Sequence, residues 1–169
     1  RPDGELGYFA SSFDVYGREG QACRRDDGGV IQRADGAVLL VQRGRPPEQG
    51  HWGLPGGKVD WMETVEAAVI REVHEETALR VAIQRLLCVV DHFEPALQQH
   101  WIAPVYLART LDDTVAVLQE PEVLLALGWF SLDALPTPLT LSARLGLTRE
   151  ATKARLHRAR SLAREYLSS

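Results

Sequence analysis

The sequence GKVDWMETVEAAVIREVHEETAL, residues 57–79, contains the pattern around which the rest of the chain is organised. Residues 64–77 contain no glycine or proline and are rich in alanine, glutamate, valine and arginine, so they are predicted to form a helix of about 3–4 turns. At about 100° per residue, Glu75 and Glu76 lie within about 60° of Glu72, so the three carboxylates share one face.

Three glutamates on one helical face repel one another, at a cost of about a few tenths of a kcal/mol for each exposed pair. A hard divalent cation removes that repulsion, and ligands that are all oxygen favour Mg²⁺ or Mn²⁺ over zinc. Glu72, Glu75 and Glu76 are therefore predicted to be metal ligands. The alternative is an acidic helix face that is simply exposed to solvent.

The spacing of the fixed residues resembles the Nudix box, G-x5-E-x7-R-E-U-x-E-E-x-G-U, in which U is aliphatic. Its fixed positions are filled here by Gly57, Glu63, Arg71, Glu72, Glu75 and Glu76. The one departure is Ala78, which stands where the box has its second glycine. The resemblance implies a Nudix-type α/β/α sandwich with a mixed β-sheet, and a C-terminal helical extension is expected beside it.

The resemblance implies an enzyme that uses Mg²⁺, with Mn²⁺ as a substitute, to hydrolyse the diphosphate of a nucleoside diphosphate linked to another group. The products are a nucleoside monophosphate and either a phosphorylated group or pyrophosphate. The metal ligands implied are Gly57, through its carbonyl, and Glu72, Glu75 and Glu76. Arg71 is expected to orient a carboxylate of the box.

The general base is open between a glutamate of the box and a later loop, in which Glu120 and Glu122 are candidates. An ordinary exposed loop is the other interpretation of that pair. Arg43 and Arg45 are candidates for binding distal phosphates, and Trp52 for stacking on a base. A place in the aromatic core is the alternative for the tryptophan.

The Gly-Gly turn, Gly56 and Gly57, is a candidate for close approach of the backbone to phosphate. Substrate identity stays open at this stage. The run RGRPP at 43–47, followed by LPGG at 54–57, resembles Nudix proteins that act on ADP-ribose. The segments at 99–108 and 120–136 resemble smaller Nudix proteins that act on nucleoside triphosphates.

Secondary structure outside the box is predicted from β-rich runs and turn residues. Strands are expected at 29–33, 38–42, 51–54, 80–90, 100–108 and 128–130. Residues 112–127 are predicted to be a loop ending in a short helical turn, and 131–135 a helical turn capped by Ser131. Residues 139–167 have a helical pattern, which Gly146 is expected to break and Thr148 to restart.

Residues 1–27 are predicted to be an arm preceding the Nudix domain at 28–138. Residues 4–25 resemble the lead-in to the zinc finger of formamidopyrimidine-DNA glycosylases, but Cys23 has no nearby cysteine to complete a four-ligand zinc site. The only other cysteine is Cys88, so no disulfide framework is expected and a cytoplasmic location is predicted. No inherited repair activity is expected from this fragment.

Residues 139–169 are predicted to form a basic helical extension. From residue 144 onward seven arginines or lysines stand against two glutamates, so this end is net +5 and the remainder net −9. Residues 145–167 resemble sigma-factor region 4, yet the first helix of a helix-turn-helix is missing. We therefore do not expect a nucleic-acid partner; the alternative function is a nucleotide-sensing regulator that binds DNA through this helix.

The expected partner is a small nucleotide substrate, and a homodimer is left open by the resemblance. No apolar run approaches the roughly 18 residues that would span a bilayer, so no membrane partner is expected.

Overall fold

The computed structural model describes residues 28–46, 48–94 and 99–148, together with the backbone of 15–16 and 22–25. It contains the helix α1, Val65–Thr77, and a second helix, α2, whose described part covers 141–148. The strands are β1 Val15–Tyr16, β2 Ala22–Arg25, β3 Gly28–Gln32, β4 Val38–Arg43, β5 Trp52–Gly53, β6 Val81–Glu94, β7 Gln99–Thr110 and β8 Leu124–Phe130.

The sheet is mixed, and β7 is its most extensively paired strand. It runs antiparallel to β6 along one edge and parallel to β2 and β3 along the other. The strand β4 lies antiparallel to β3, β5 and β8. Short connections join β3 to β4, β4 to β5 and β6 to β7, whereas the antiparallel pair of β4 with β8 and the parallel pairs of β7 with β2 and β3 join segments distant in the chain.

The side chains of β4 alternate between two hydrophobic clusters, one on each face of the sheet. Val38 and Leu40 belong to a cluster that includes two residues of α2. Leu39 belongs to the other cluster, which includes Val69 and Val73 of α1. The two helices therefore cover opposite faces, and the predicted α/β architecture with a mixed sheet between helices is confirmed.

The predicted central helix is confirmed almost to the residue. Thr64 has an extended backbone, and its hydroxyl accepts a hydrogen bond from the backbone N–H of Ala67 at 3.2 Å, so it is the N-cap. The helix ends at Ala78, which adopts the left-handed conformation with φ of 62°. Glycine occupies such a position without steric cost, so alanine is strained here.

The predicted hairpin around residues 35–36 and the strands near 52, 81 and 100 are also confirmed. Two elements differ from the prediction. The last strand begins at Leu124, four residues before the predicted start, because it pairs with β4 from Arg43 to Val38. Residues 131–135 form a turn and not a helical one, although Ser131 Oγ accepts from the Asp133 N–H at 3.3 Å as an N-cap would.

The predicted helix break at Gly146 is wrong, because α2 continues through that residue. A Cβ at this position would lie 2.9 Å from Cγ1 of Val105, so close packing on the sheet explains the glycine. Thr148 lies within α2, and its hydroxyl donates to the carbonyl of Arg144 at 2.6 Å, while the segment that it is predicted to cap lies outside the described residues. The cap of α2 is Thr140, whose Oγ1 accepts from the N–H of Ala143 at 3.3 Å.

Most of the N-terminal fragment and all of 149–169 lie outside the described residues. These undescribed parts contain most of the residues on which the two flanking resemblances depend. Two pieces of the flanks are described. The backbone of β2, inside the predicted arm, pairs with β7, and α2, inside the predicted extension, packs against the sheet. Within the described part of the chain, no helix is long and apolar enough to cross a membrane.

Candidate active site

Arg71 connects the loop before α1 to the glutamates on the helix. Its Nε and Nη2 donate to the two oxygens of Glu63 at 3.0 and 2.8 Å, which is bidentate geometry. Its Nη1 donates to Glu72 Oε1 at 2.8 Å and to Glu75 Oε2 at 3.0 Å. Nη2 also donates to the carbonyl of Lys58 at 3.0 Å and lies 3.9 Å from Asp60 Oδ2. One guanidinium therefore fixes three carboxylates.

These contacts favour the charged forms of Arg71 and Glu63. The hydrogen bonds from Arg71 hold the pKa of Glu63 below its ordinary value, and the Asp60 N–H, at 3.1 Å, acts in the same direction. The same hydrogen bonds raise the pKa of Arg71, and the bonds to Glu63 contribute most. Arg71 and Glu63 are thus a stable ion pair at neutral pH, with side-chain exposures of 28% and 16%.

Glu76 lies in a different environment on the same helix. Only 7% of the residue is exposed, and its Oε2 accepts the Gly56 N–H at 3.1 Å. Burial raises its pKa to about 8, and the charges of Glu72 and Glu120 act in the same direction. The Gly56 hydrogen bond and the charge of Arg43 oppose this shift. The negative charge of Glu76 is therefore costly in the bare protein.

Glu72 lies between these two environments. Burial raises its pKa, with Glu75 and Glu120 adding to the effect, even though its hydrogen bond and ion pair with Arg71 lower it. Gly57 packs directly against its carboxylate, and a Cβ at Gly57 would overlap that group. The second glycine of the Gly-Gly turn is therefore required for the carboxylate to reach this position, a steric reason that the sequence pattern alone does not give.

The loop after β7 lies against the C-terminal turn of α1. The backbone N–H groups of Val117 and Gln119 donate to the carbonyls of Thr77 and Glu76 at 2.9 and 3.0 Å. The structure thus brings Glu120 close enough for its charge to act on Glu72 and Glu76. Glu122, two residues later, is exposed. Of the two loop candidates, Glu120 is the one placed at the cluster.

Of the residues predicted to bind the phosphates or the base of a substrate, only some lie at the cavity beside the cluster. Arg43 and Gly56 line a cavity of about 90 Å³ next to the cluster, whereas Arg45 is exposed and does not line it. Trp52 is half-buried, and its ring meets Phe130 edge-on with centroids 5.0 Å apart. The structure therefore places the tryptophan against the aromatic side of the core.

Sequence analysis did not identify Glu48 or His92, which line the same cavity together with Trp101. The Glu48 carboxylate accepts the Leu141 N–H at 3.1 Å and so joins the loop before β5 to the start of α2. These two residues are 93 positions apart, and no local pattern connects them. Only the fold reveals the contact.

Whether the glutamates fit a divalent cation can be tested on their chemistry. Among the described residues, no three His, Cys, Asp or Glu side chains converge closely enough to hold a metal ion in this arrangement. Arg71 binds one oxygen each of Glu72 and Glu75, and every carboxylate has a second oxygen. In their chemistry, though not in this spacing, the residues fit Mg²⁺ or Mn²⁺, because the donors are all oxygen and burial disfavours the charge of Glu76.

Comparison with known proteins adds independent observations. The profile of the NUDIX domain matches residues 24–149. The crystal structure of a MutT NUDIX hydrolase from Burkholderia pseudomallei is 51% identical, and the match covers 75% of this chain and 97% of that one with a TM-score of 0.68.

Among curated proteins, the ADP-ribose pyrophosphatase of Methanocaldococcus jannaschii is 39% identical over 79 residues, which is 47% of this chain and 46% of that protein. The 8-oxo-dGDP phosphatase NUDT18 of Homo sapiens is 33% identical over 103 residues, covering 60% of this chain and 30% of that protein. The chain thus spans less than half the length of these curated relatives.

The N-terminal resemblance also has a counterpart. The formamidopyrimidine-DNA glycosylase of Erythrobacter litoralis is 73% identical over 33 residues, which is 20% of this chain and 12% of that protein. The match is short and covers only a small part of the glycosylase.

Proposed function

Because this chain belongs to the Nudix hydrolase family, we propose that it is a divalent-cation-dependent pyrophosphohydrolase. It cleaves the diphosphate of a nucleoside diphosphate linked to another group, and releases a nucleoside monophosphate with the phosphorylated group or pyrophosphate. We further propose Mg²⁺ as the cation and Mn²⁺ as its substitute, and a cytoplasmic location, the compartment expected for a sequence whose two cysteines make no disulfide framework.

The observation that carries this proposal is the burial of Glu76 among other carboxylates. Burial and the charges of Glu72 and Glu120 disfavour the charged form of Glu76. A protein tolerates such a buried charge when a cation binds beside it. A bound Mg²⁺ supplies neutralisation of charge on the phosphate oxygens, which is the main requirement of phosphoryl transfer. We propose Glu72, Glu75, Glu76 and the Gly57 carbonyl as its ligands.

The other residues of the site have separate roles in this proposal. Arg71 holds Glu72 and Glu75 in place through hydrogen bonds at 2.8 and 3.0 Å. Arg43, beside the cluster, is positioned to bind a phosphate oxygen of the substrate. Glu120 is the general base: it takes a proton from the attacking water as the water oxygen bonds to phosphorus and the anhydride oxygen leaves.

The substrate class is proposed as a nucleoside diphosphate derivative, of either the ADP-ribose or the nucleoside triphosphate type. The relative named ADP-ribose pyrophosphatase supports the first type, and the relative named 8-oxo-dGDP phosphatase supports a substrate that contains a nucleoside diphosphate. A panel of ADP-ribose, nucleoside triphosphates and dinucleoside polyphosphates, assayed for phosphate products, separates them. Turnover is expected on at least one compound with Mg²⁺, and none with EDTA.

The test of the site is Glu76→Gln, with Glu66→Gln as its matched control on the exposed side of the first helical turn. We expect kcat to fall by about 100-fold or more in Glu76→Gln and to change by less than about twofold in the control. Turnover in EDTA, or equal rates for wild type and Glu76→Gln, would overturn the proposal.

A further inference from the structure

A second cavity lies apart from the carboxylate cluster. It has a volume of about 530 Å³ and lies at the β3–β4 turn, next to the loop that follows β7. Its lining shares no residue with the cavity beside Arg43. We name it the hairpin cavity and define it by Arg33, Asp35, Asp112, Asp113, Leu127 and Trp129. Its volume lies in the range that holds small-molecule ligands.

One wall of the hairpin cavity is a planar stack. The Arg33 guanidinium carbon lies 4.7 Å from the centre of the Trp129 ring. Arg33 is held in that position by Asp35, with Nη2 to Oδ2 at 2.6 Å. Flat guanidinium and indole surfaces are those on which nucleobases and other heteroaromatic rings stack. The stack therefore favours a planar ligand.

The rim of the hairpin cavity is acidic. Three aspartates and one arginine are its charged lining residues. Hydrogen bonds from Arg33 lower the pKa of Asp35, and hydrogen bonds from Thr114 lower that of Asp112, so both are ionised at neutral pH. Carboxylates at the rim repel phosphate and accept hydrogen bonds from amino groups. The rim thus disfavours phosphorylated ligands and accepts ligands with amino donors.

The hairpin cavity is also joined to the catalytic glutamates by a short stretch of chain. Residues 114–116 line it, and the next residues, Val117 and Gln119, bond to the carbonyls of Thr77 and Glu76 at 2.9 and 3.0 Å. Glu120 follows at once. A ligand that orders the 112–116 segment would therefore change the freedom of the loop that presents Glu120.

From these features we propose that the hairpin cavity is a second ligand site that binds an amino-bearing nucleoside, with the base on the Arg33–Trp129 stack and its amino group on the rim aspartates. This site does not depend on the proposed hydrolase activity, because it shares no residue with the carboxylate cluster.

The experiment is a titration of the full chain with adenosine in EDTA, followed by ¹H–¹⁵N NMR. Trp129 is one of four tryptophans, and its indole signal is assigned by Trp129→Phe. We expect adenosine to shift this indole signal and the amides of 112–120, in wild type and in Glu76→Gln alike. Shifts confined to the cavity beside Arg43, or none at millimolar adenosine, would overturn the proposal.

Two exposed substitutions test the ligand class without disturbing the core. Asp113→Lys is expected to weaken adenosine binding by about tenfold or more, the loss expected for one hydrogen bond to a charged group. Asp133 is exposed and lies outside the cavity, so Asp133→Asn should leave the affinity for adenosine unchanged. Equal affinity for thymidine, which lacks an exocyclic amino group, or tighter binding of spermidine than of adenosine would contradict the proposed class.

Discussion

The glutamates of α1 and its preceding loop divide into two regions that differ in how their charge is compensated. At the solvent-facing side, Arg71 binds Glu63 in bidentate geometry and lowers its pKa. On the inner side, Glu76 is buried and its pKa rises to about 8. Residues of one chemical type therefore have opposite shifts, because Arg71 compensates the charge of Glu63, whereas Glu76 is buried beside other carboxylates.

The pH dependence of stability separates the two regions and is the largest effect expected. The pKa of Glu76 rises from about 4.5 to about 8 on folding, so without metal its contribution is favourable below pH 4.5 and is lost as the pH rises to 8. The loss is on the order of 4–5 kcal/mol, from about 1.4 kcal/mol per pKa unit. Urea unfolding in EDTA from pH 4 to 9 measures this loss. The free energy of unfolding of wild type should fall across this range relative to that of Glu76→Gln.

Glu63 titrates with the opposite sign. Its pKa is lowered on folding, so its contribution is present above its ordinary value near 4.5 and is lost as the pH falls through its folded pKa. In Glu63→Gln the loss of stability should therefore be confined to neutral pH and diminish below pH 4. Parallel pH profiles for the two glutamine variants would contradict the division into two regions.

The loop glutamates give the next largest effect, because Glu120 acts on the buried region and Glu122 is exposed. Glu120→Gln is expected to lower kcat by about 100-fold, the size expected for loss of a general base, whereas Glu122→Gln should change it less than about twofold. The pH–rate profile of each variant is the accompanying measurement, since loss of the base also removes its acid limb. Equal losses in both would reject the assignment of Glu120.

Arg71→Lys tests the solvent-facing region. Lysine keeps the charge but cannot reproduce the fork that reaches Glu63, Glu72 and Glu75 together. We expect the free energy of unfolding to fall by about 1–2 kcal/mol, with the partial exposure of the network limiting the loss. Arg85→Lys, a matched change on β6, should cost less. Stability equal to wild type would show that the network is not structural.

The smallest effect is expected at Ala78, the residue that ends α1. Ala78 has φ of 62°, so Ala78→Gly should relieve strain and raise the free energy of unfolding by about 1 kcal/mol. Met62, with φ of 64° and 85% exposed, offers a second position of the same kind. Chemical denaturation measures both. Destabilisation by glycine at Ala78 would mean that helix entropy outweighs the strain.

Local pattern predicts the elements of this protein better than it predicts the environment of its residues. The helix at 65–77 follows from its composition and its Thr64 cap, and the hairpin from its Asp-Gly turn. The spacing also predicts that the glutamates share a face. It does not predict that Glu76 is buried while Glu75 is exposed, since that depends on the loop at Gly56 packing over the helix.

Contacts between distant segments are the other part that the sequence does not predict. Gly146 looked like a helix breaker, yet its role is close packing against Val105. Glu48 has no local pattern that would connect it to Leu141, and Glu120 reaches the cluster only because its loop is bonded to α1. Each of these depends on tertiary packing, which overrides local preference.

Thermal unfolding with increasing Mg²⁺ at pH 8 tests most directly whether the buried region is built for an external cation. Wild type should gain stability with Mg²⁺, rising with concentration as expected for a ligand that binds the folded state. Glu76→Gln should lose most of that gain, while Glu66→Gln should keep it. A wild-type melting temperature that is independent of Mg²⁺, or an equal gain in Glu76→Gln, would contradict the proposed cation site.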